Sequence, residues 1–290
     1  MILEIKWLKT FIVAAKYENF RKTSEELFLT QPAVTKHIKR LEEELHVELF
    51  ERTKKKSVLT AAGYQFLPYA RSIVDKYEEG RTSLESWRQG YKRRLVIAAA
   101  PQIASSMFPS LLRTFMDENP DIDVVVQITS SFQVGEEVSL GRADLGLTRV
   151  EAMQTNIYSE VVHEEPVVLV GPYNEYCLEE HMALSTYRVI TDNHPDYWDY
   201  LLRQIKSYYP NVRTMAVNQV EITKRFIEQG LGVSYLPVTM VRDEVQNSRL
   251  REIRREQVIA PKSKTYLLQK TKTEEAEVFR VFLKEVLTKF

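Results

Sequence analysis

Apolar positions along the first ninety residues recur every three or four places, the period of helices that bury one face. Ile5, Leu8, Phe11, Ile12 and Ala15 outline a first helix. A second, shorter pattern closes at Leu27, Phe28 and Leu29 form a tight turn, and Thr30 is a good N-cap for a third helix. Pro32 falls in the first turn of that helix, where its missing N–H costs no hydrogen bond. Val34, Ile38, Leu41 and Leu45 then give a buried stripe, which leaves Gln31, Thr35, Lys36 and Lys39 on or near the opposite face. A buried stripe backed by a polar and basic face at the helix start is what a helix reading the major groove needs. Phe20 to Lys39 is therefore predicted to be a helix-turn-helix.

Val47–Phe50 and Val58–Thr60 read as short strands flanking Arg52–Ser57, a wing with Lys54, Lys55 and Lys56 at its tip. Thr60 can cap a long helix running to about Gln89. Along it Phe66, Ala70, Ile73, Tyr77, Gly80, Leu84 and Trp87 keep four-three spacing, a seam for pairing with a second chain whose weak point is Gly80. Gly90-Tyr91-Lys92 ends that helix, and the pattern changes to alternating strands and helices. Leu95–Ala100, Ile122–Ile128 and Ala143–Leu147 are predicted strands, with helices over Ala104–Met116 and Val134–Leu140. The alternation restarts through Val167–Val170, Arg188–Thr191, Tyr197–Ile205, Val212–Val217, Ile222–Ile227 and Val233–Leu236. Two successive α/β units imply two Rossmann-like lobes, with Tyr266–Leu268 and the helix Glu274–Leu287 returning to the first.

With 290 residues, 44% of them hydrophobic and 28% charged, the chain has the make-up of a soluble globular protein of two or more domains. Zero net charge is at odds with DNA binding until its distribution is considered. Residues 1–60 carry 12 Lys and Arg against 9 Asp and Glu, and Arg52 with the three wing lysines concentrates the excess. The triplet Glu42-Glu43-Glu44 is expected to turn away from phosphate. A single cysteine, Cys177, excludes an intrachain disulfide. No signal-peptide pattern or membrane-length apolar run is seen, so the expected location is cytoplasmic, with no membrane partner.

Thr-Gln-Pro-Ala-Val-Thr at 30–35, Leu41-Glu42, Leu49-Phe50, Arg52, Leu59-Thr60 and Ala62-Gly63 resemble, in order and spacing, the N-terminal signature of LysR-type transcriptional regulators. Thr23-Ser24 stand where that family usually has paired alanines, and Thr30 and Thr35 where it commonly has serines. The resemblance implies a winged helix-turn-helix over 1–60, a dimerising linker helix over 61–92 and an effector-binding domain over 93–290. That domain would be built like a periplasmic-binding protein, with lobe I at 93–161 and 266–290 and lobe II at 162–265. It implies double-stranded DNA, a homodimer or homotetramer and a small-molecule effector as partners, and no cofactor. Within the family, Asn193–Trp198 and Val220–Pro237 most resemble the branch that controls a citrate synthase gene, which implies an organic acid of central carbon metabolism as effector.

On the DNA side, Gln31, Thr35 and Lys36 are expected at base edges, with Pro32 and Ala33 beside them. Thr30, Lys39, Arg52, Thr53, Lys54, Lys55 and Lys56 are expected near phosphates. In open α/β sheets ligands bind beyond the carboxyl ends of the strands, where helix N-termini favour anions. Four such junctions, Ala100–Ala104, Thr129–Phe132, Thr191–Tyr197 and Val217–Glu221, supply the candidate effector residues. These are Ala100, Pro101, Gln102, Ser130, Ser131, Asn193, His194 and Gln219, joined by Thr148 and Arg149 after the third strand. An arginine there can hold a carboxylate through a two-pronged fork.

Nothing in the sequence points to catalysis. Glu179-Glu180-His181 and His163-Glu164-Glu165 echo metal-site fragments but lack the paired histidines of HExxH, and read as solvated charge. Gly230-Leu231-Gly232 lacks a third glycine and precedes a strand, so it is not a dinucleotide loop. The alternative to a regulator is a metabolite-binding protein of solute-binding type, which would leave the first 90 residues without a purpose.

Overall fold

The computed structural model describes residues 3–52, 57–173 and 179–287, with Arg52 described in its backbone only. The wing-tip candidates Thr53, Lys54, Lys55 and Lys56, the Arg52 side chain and Cys177 lie outside what is described. The chain forms two compact units, Met1–Gln89 and Gly90–Phe290.

The first unit runs α1 (Ile5–Tyr17), α2 (Phe20–Glu26), α3 (Gln31–Leu45), β1 (Phe50–Arg52), β2 (Ser57–Leu59) and α4 (Ala61–Arg88). Helices α2, α3 and α4 each start at a polar cap that satisfies amides lacking an intrahelical partner. The Asn19 side chain accepts from the amides of Arg21 and Lys22, Thr30 Oγ1 from Ala33, and Thr60 Oγ1 from Gly63. Trp7, Leu8, Phe11, Phe20, Val34, Ile38, Leu41, Leu49 and Phe50 form the core, so the stripe read on α3 faces inward. Gly63 is required where α4 begins. A Cβ there would lie 2.3 Å from the Leu49 carbonyl oxygen, closer than any side chain tolerates.

Two expectations need correction. The first wing strand begins at Phe50 rather than Val47, because Glu42 Oε1 accepts the amides of Leu49 and Phe50 at 2.9 and 3.2 Å and ties the approach to α3. The seam along α4 also divides. Ala70 is buried and Phe66 packs on Phe11 of the same unit, with Lys9 and Glu78 paired between α1 and α4. Ile73, Tyr77, Leu84 and Trp87 remain exposed. Only this later stretch is available to a second chain.

The second unit continues with β3 (Arg93–Ala99), α5 (Pro101–Ala104), α6 (Phe108–Glu118), β4 (Ile122–Ile128), α7 (Ser131–Ser139), β5 (Leu145–Thr148) and the fifteen-residue β6 (Tyr158–Pro172). Then come α8 (Glu180–Thr186), β7 (Val189–Thr191), α9 (Trp198–Tyr208), β8 (Thr214–Ala216), α10 (Val220–Glu228), β9 (Ser234–Pro237), α11 (Val238–Gln246), β10 (Leu250–Glu252), β11 (Lys262–Gln269) and α12 (Glu274–Leu287). Strand β3 pairs in parallel with β4 and β5, as βαβ units do, whereas β11 runs antiparallel to both β5 and β6.

Two cores make two lobes. One packs Leu95, Ile97, Phe108, Phe115, Leu145, Leu267 and Phe279, so α12 does return to lobe I. The other packs Val167, Leu169, Trp198, Leu201, Ile205 and Tyr235. Strands β6 and β11 pass through both lobes, and their register shifts between Thr265 and Tyr266. The expected strands Val167–Val170 and Tyr266–Leu268 are only the apolar parts of these crossovers; Glu160, Glu164, Glu165 and His163 disguised the rest. Likewise, the helix expected over Ala104–Met116 starts only at Phe108, with Pro109 in its first turn, and Ala104 ends the separate short α5. Gly230, at a φ of 73°, ends α10, and a Cβ on Gly232 would meet the Arg188 carbonyl at 2.6 Å, so that glycine pair is structural.

Candidate functional site

The first candidate site is the outer face of α3. Gln31, Pro32, Lys36 and Lys39 are exposed there, and Ala33 and Thr35 partly so, while Val34, Ile38 and Leu41 between them are buried. Thr30 spends its hydroxyl on the helix cap and remains exposed at its tip. Lys39 also pairs with Glu43 at 3.7 Å, an exposed contact of little energy that phosphate can replace. Phe28 is 96% exposed at a φ of 53°, standing free in the turn before the helix. The sequence reading gave it no role beyond the turn. In the acidic triplet, Glu42 is the residue that pins the wing, a structural role its neighbours in sequence do not reveal.

The second candidate site lies where the lobes meet. Gln102 donates from Nε2 to the Asn193 carbonyl at 3.4 Å, joining α5 of one lobe to the loop after β7 of the other, and its Oε1 is buried without a partner. Ala100 is buried, and Pro101 starts α5 exposed. Ser130 caps α7 by position, yet its hydroxyl donates to the Gln133 side chain, and the Ser131 hydroxyl is buried and unpartnered. Thr148 Oγ1 donates to the Ser131 carbonyl. Gln219 is exposed at the N-cap of α10 and makes no side-chain cap bond.

Arg149, Asn193 and His194 differ from expectation. Arg149 is no surface fork: it is fully buried, and Nη1 donates to Glu165 at 3.0 Å, Ser263 at 3.2 Å and Thr265 at 3.1 Å. Burial lowers the guanidinium pKa while Glu165 opposes the shift. The Asn193 side chain is consumed by the fold. Its Nδ2 donates to the Ile190 carbonyl and to the hydroxyls of Thr223 and Ser234, and its Oδ1 accepts from Trp198. Both N–H groups of Nδ2 are thereby committed to the fold, so the side chain has no donor left for a ligand. His194 Nδ1 accepts the Asp196 amide, so the ring proton sits on Nε2 and points at Ser263, 3.0 Å away. Burial, followed by the Arg149 charge, holds its pKa well below the usual histidine range, so the ring is neutral.

The charged tripeptides are also corrected. Glu165 is 3% exposed and Glu180 is fully buried, so neither is solvated. Glu180 accepts the amides of Glu256, Gln257 and Val258 and the Tyr209 hydroxyl, which pushes the Tyr209 pKa up to about 12 by burial and then by that contact. Glu179, His181 and Glu256 gather on the surface nearby, with His181 Nδ1 3.2 Å from Glu256. No alternation of apolar residues marks a buried carboxylate in such a run, which is why pattern reading missed both.

Both units have counterparts among known proteins. Residues 5–64 match the bacterial regulatory helix-turn-helix proteins of the lysR family, and residues 88–290 match the LysR substrate binding domain. The chain belongs to the LysR family of transcriptional regulators. It is 40% identical over 286 residues to the HTH-type transcriptional regulator CitR of Bacillus subtilis, covering 97% of this chain and 98% of that one. It is 33% identical to the uncharacterized HTH-type regulator YxjO of the same organism, covering 98% of each. Among solved structures, full-length CbnR in complex with its target DNA has the same fold, with a TM-score of 0.71 at 20% identity, over 97% of this chain and 99% of that one. A solute-binding protein with no regulatory role is therefore set aside. Among the described residues of this LysR-family regulator, no helix is long and apolar enough to cross a membrane.

Proposed function

We propose that this LysR-type regulator reads an interrupted dyad with paired α3 helices and responds to a small anionic metabolite, an organic acid of central carbon metabolism. In this reading residues 1–60 hold DNA, 61–92 join two copies, and 93–290 receive the effector. Exposed Gln31 and Lys36 with partly exposed Thr35, on a helix whose Val34, Ile38 and Leu41 are buried, carry the DNA assignment. Such a helix has nothing else to offer the major groove. Pairing through the exposed part of α4 supplies two such helices, as a palindromic operator requires.

The effector reading is supported by buried polar atoms where the lobes meet. Gln102 Oε1, the Ser131 hydroxyl and two nitrogens of Arg149 have no partner, and buried groups of this kind are ordinarily satisfied. The two Arg149 nitrogens are charged donors, which favours an anion.

Gln31→Ala tests the DNA half. It is expected to weaken the specific complex by roughly 1–3 kcal/mol, the worth of a two-pronged base contact. Binding to random duplex should change little, because phosphate contacts supply most of that affinity. Fluorescence anisotropy with both duplexes at one salt concentration measures the difference; equal losses on the two would remove Gln31 from base reading.

A further inference from the structure

Arg149 is a buried cation with half of its fork in use. Nη1 makes all of its contacts, to Glu165, Ser263 and Thr265. Nε and Nη2 are buried and have no partner. Those two nitrogens form the side-on edge of a guanidinium, whose parallel N–H bonds match the two oxygens of one carboxylate. Leaving that edge empty in the interior is costly. His163 lies opposite Thr265 in the β6–β11 ladder, and its Nε2 is likewise buried and unpartnered.

Glu165 has a second home. Besides meeting Arg149, its carboxylate accepts the Thr239 amide at 2.7 Å and the Thr239 hydroxyl at 2.8 Å. Thr239 stands in the first turn of α11, where free amides and the helix dipole favour a negative charge. Glu165 can therefore stay ionised and bonded after releasing Arg149. Arg149 follows β5 of lobe I, and α11 belongs to lobe II, so the chain Arg149–Glu165–Thr239 fastens one lobe to the other.

We propose that the Nε–Nη2 edge of Arg149 is a seat for one carboxylate or similar oxyanion, and that Glu165 is an internal competitor whose hold on Arg149 latches the lobes until that seat is filled. The proposal rests on the anionic-effector reading above and adds how the site is regulated. A second carboxylate beside Arg149 leaves the cluster one negative charge in excess. Binding thus favours retreat of Glu165 onto α11, and the latch opens. The ligand acts by differential affinity for the two states, as a conformational switch requires.

Calorimetry on the full-length protein with citrate, acetate and inorganic phosphate tests this, with thermal melting to confirm that each variant is folded. At least one of these oxyanions is expected to bind the wild type. Glu165→Gln keeps an oxygen for Thr239 and removes the competing charge, so it should tighten that binding roughly tenfold or more. Thr239→Val weakens the alternative home of Glu165 and should act in the opposite direction. Arg149→Lys keeps the charge and loses the two-pronged edge, so it should weaken binding roughly tenfold or more. A merely structural role would make all three variants alike in sign. Unchanged or weaker binding by Glu165→Gln overturns the latch, and so does tighter binding by Thr239→Val; both leave the effector reading standing. Equal binding by wild type and Arg149→Lys overturns the seat while an organic acid still binds. If none of the three oxyanions binds any form, the seat is overturned and the effector reading falls with it, whereas DNA reading is untouched.

Discussion

Glu180→Ala is expected to destabilise lobe II by about 3 kcal/mol or more, because one carboxylate there satisfies four donors. The amides of Glu256, Gln257 and Val258 and the Tyr209 hydroxyl all converge on it, and its own amide bonds the Arg254 carbonyl. This side chain fastens the start of α8 to the loop after β10. Alanine strips every donor at once, and the buried Val258 amide cannot turn to water instead. Glu180→Gln should recover part of the loss, since an amide oxygen still accepts. Denaturant unfolding followed by tryptophan fluorescence reads the effect, as Trp198 lies in the lobe II core. An alanine variant as stable as the wild type would show that the carboxylate is dispensable.

The second large effect concerns assembly. Ile73→Glu places a charge in the exposed stretch of α4 that also carries Tyr77, Leu84 and Trp87. In a symmetric pair the substitution sets two like charges against each other in an apolar seam. Dimers should dissociate, and operator affinity should fall by roughly 10²–10⁴, the usual gain from linking two modest sites. The fold of the first unit should survive, because Phe66 and Ala70 hold α4 to its own core and Ile73 does not contribute to it. Sedimentation measures the mass and anisotropy the affinity. A full-strength dimer carrying Glu at 73 would place the interface elsewhere.

The helix-turn-helix was legible because its signals are local. Thr30, Pro32 and the stripe Val34, Ile38 and Leu41 mark a start, a direction and a buried side within twelve residues, and the structure follows them. The same holds for the parallel strands of lobe I, which are short apolar runs between helices. What escaped was long-range. Strand β6 carries Glu160, His163, Glu164 and Glu165, a polar stretch that looks like a solvated loop until β11 is laid beside it. The α4 seam was over-read, since four-three spacing does not say whether a partner helix or α1 of the same unit covers each position. From sequence Arg149 reads as an open fork, whereas it is buried against Glu165, Ser263 and Thr265. Only the folded arrangement brings Glu165 to it, and Thr239 to Glu165. For Asn193, the polar side chain drew attention to a ligand role, whereas Ile190, Thr223 and Ser234 take up its donors and Trp198 donates to its oxygen.

The misses at Glu165, Glu180 and Arg149 share one cause. Their partners are distant in sequence, so composition and periodicity see charge where the fold has a network. Such a network, Arg149–Glu165–Thr239, joins the lobes, and it is the element on which the proposed anion would act.

Selection of duplexes from a random pool by the full-length protein, followed by sequencing, tests the regulator's mode of reading most directly. Paired α3 helices predict an enriched inverted repeat whose half-sites are separated by about one helical turn or a multiple of it. The Gln31→Ala protein should lose that enrichment while still retaining DNA at low salt. A wild-type pool with no enriched repeat, or the same repeat recovered by Gln31→Ala, would contradict the account.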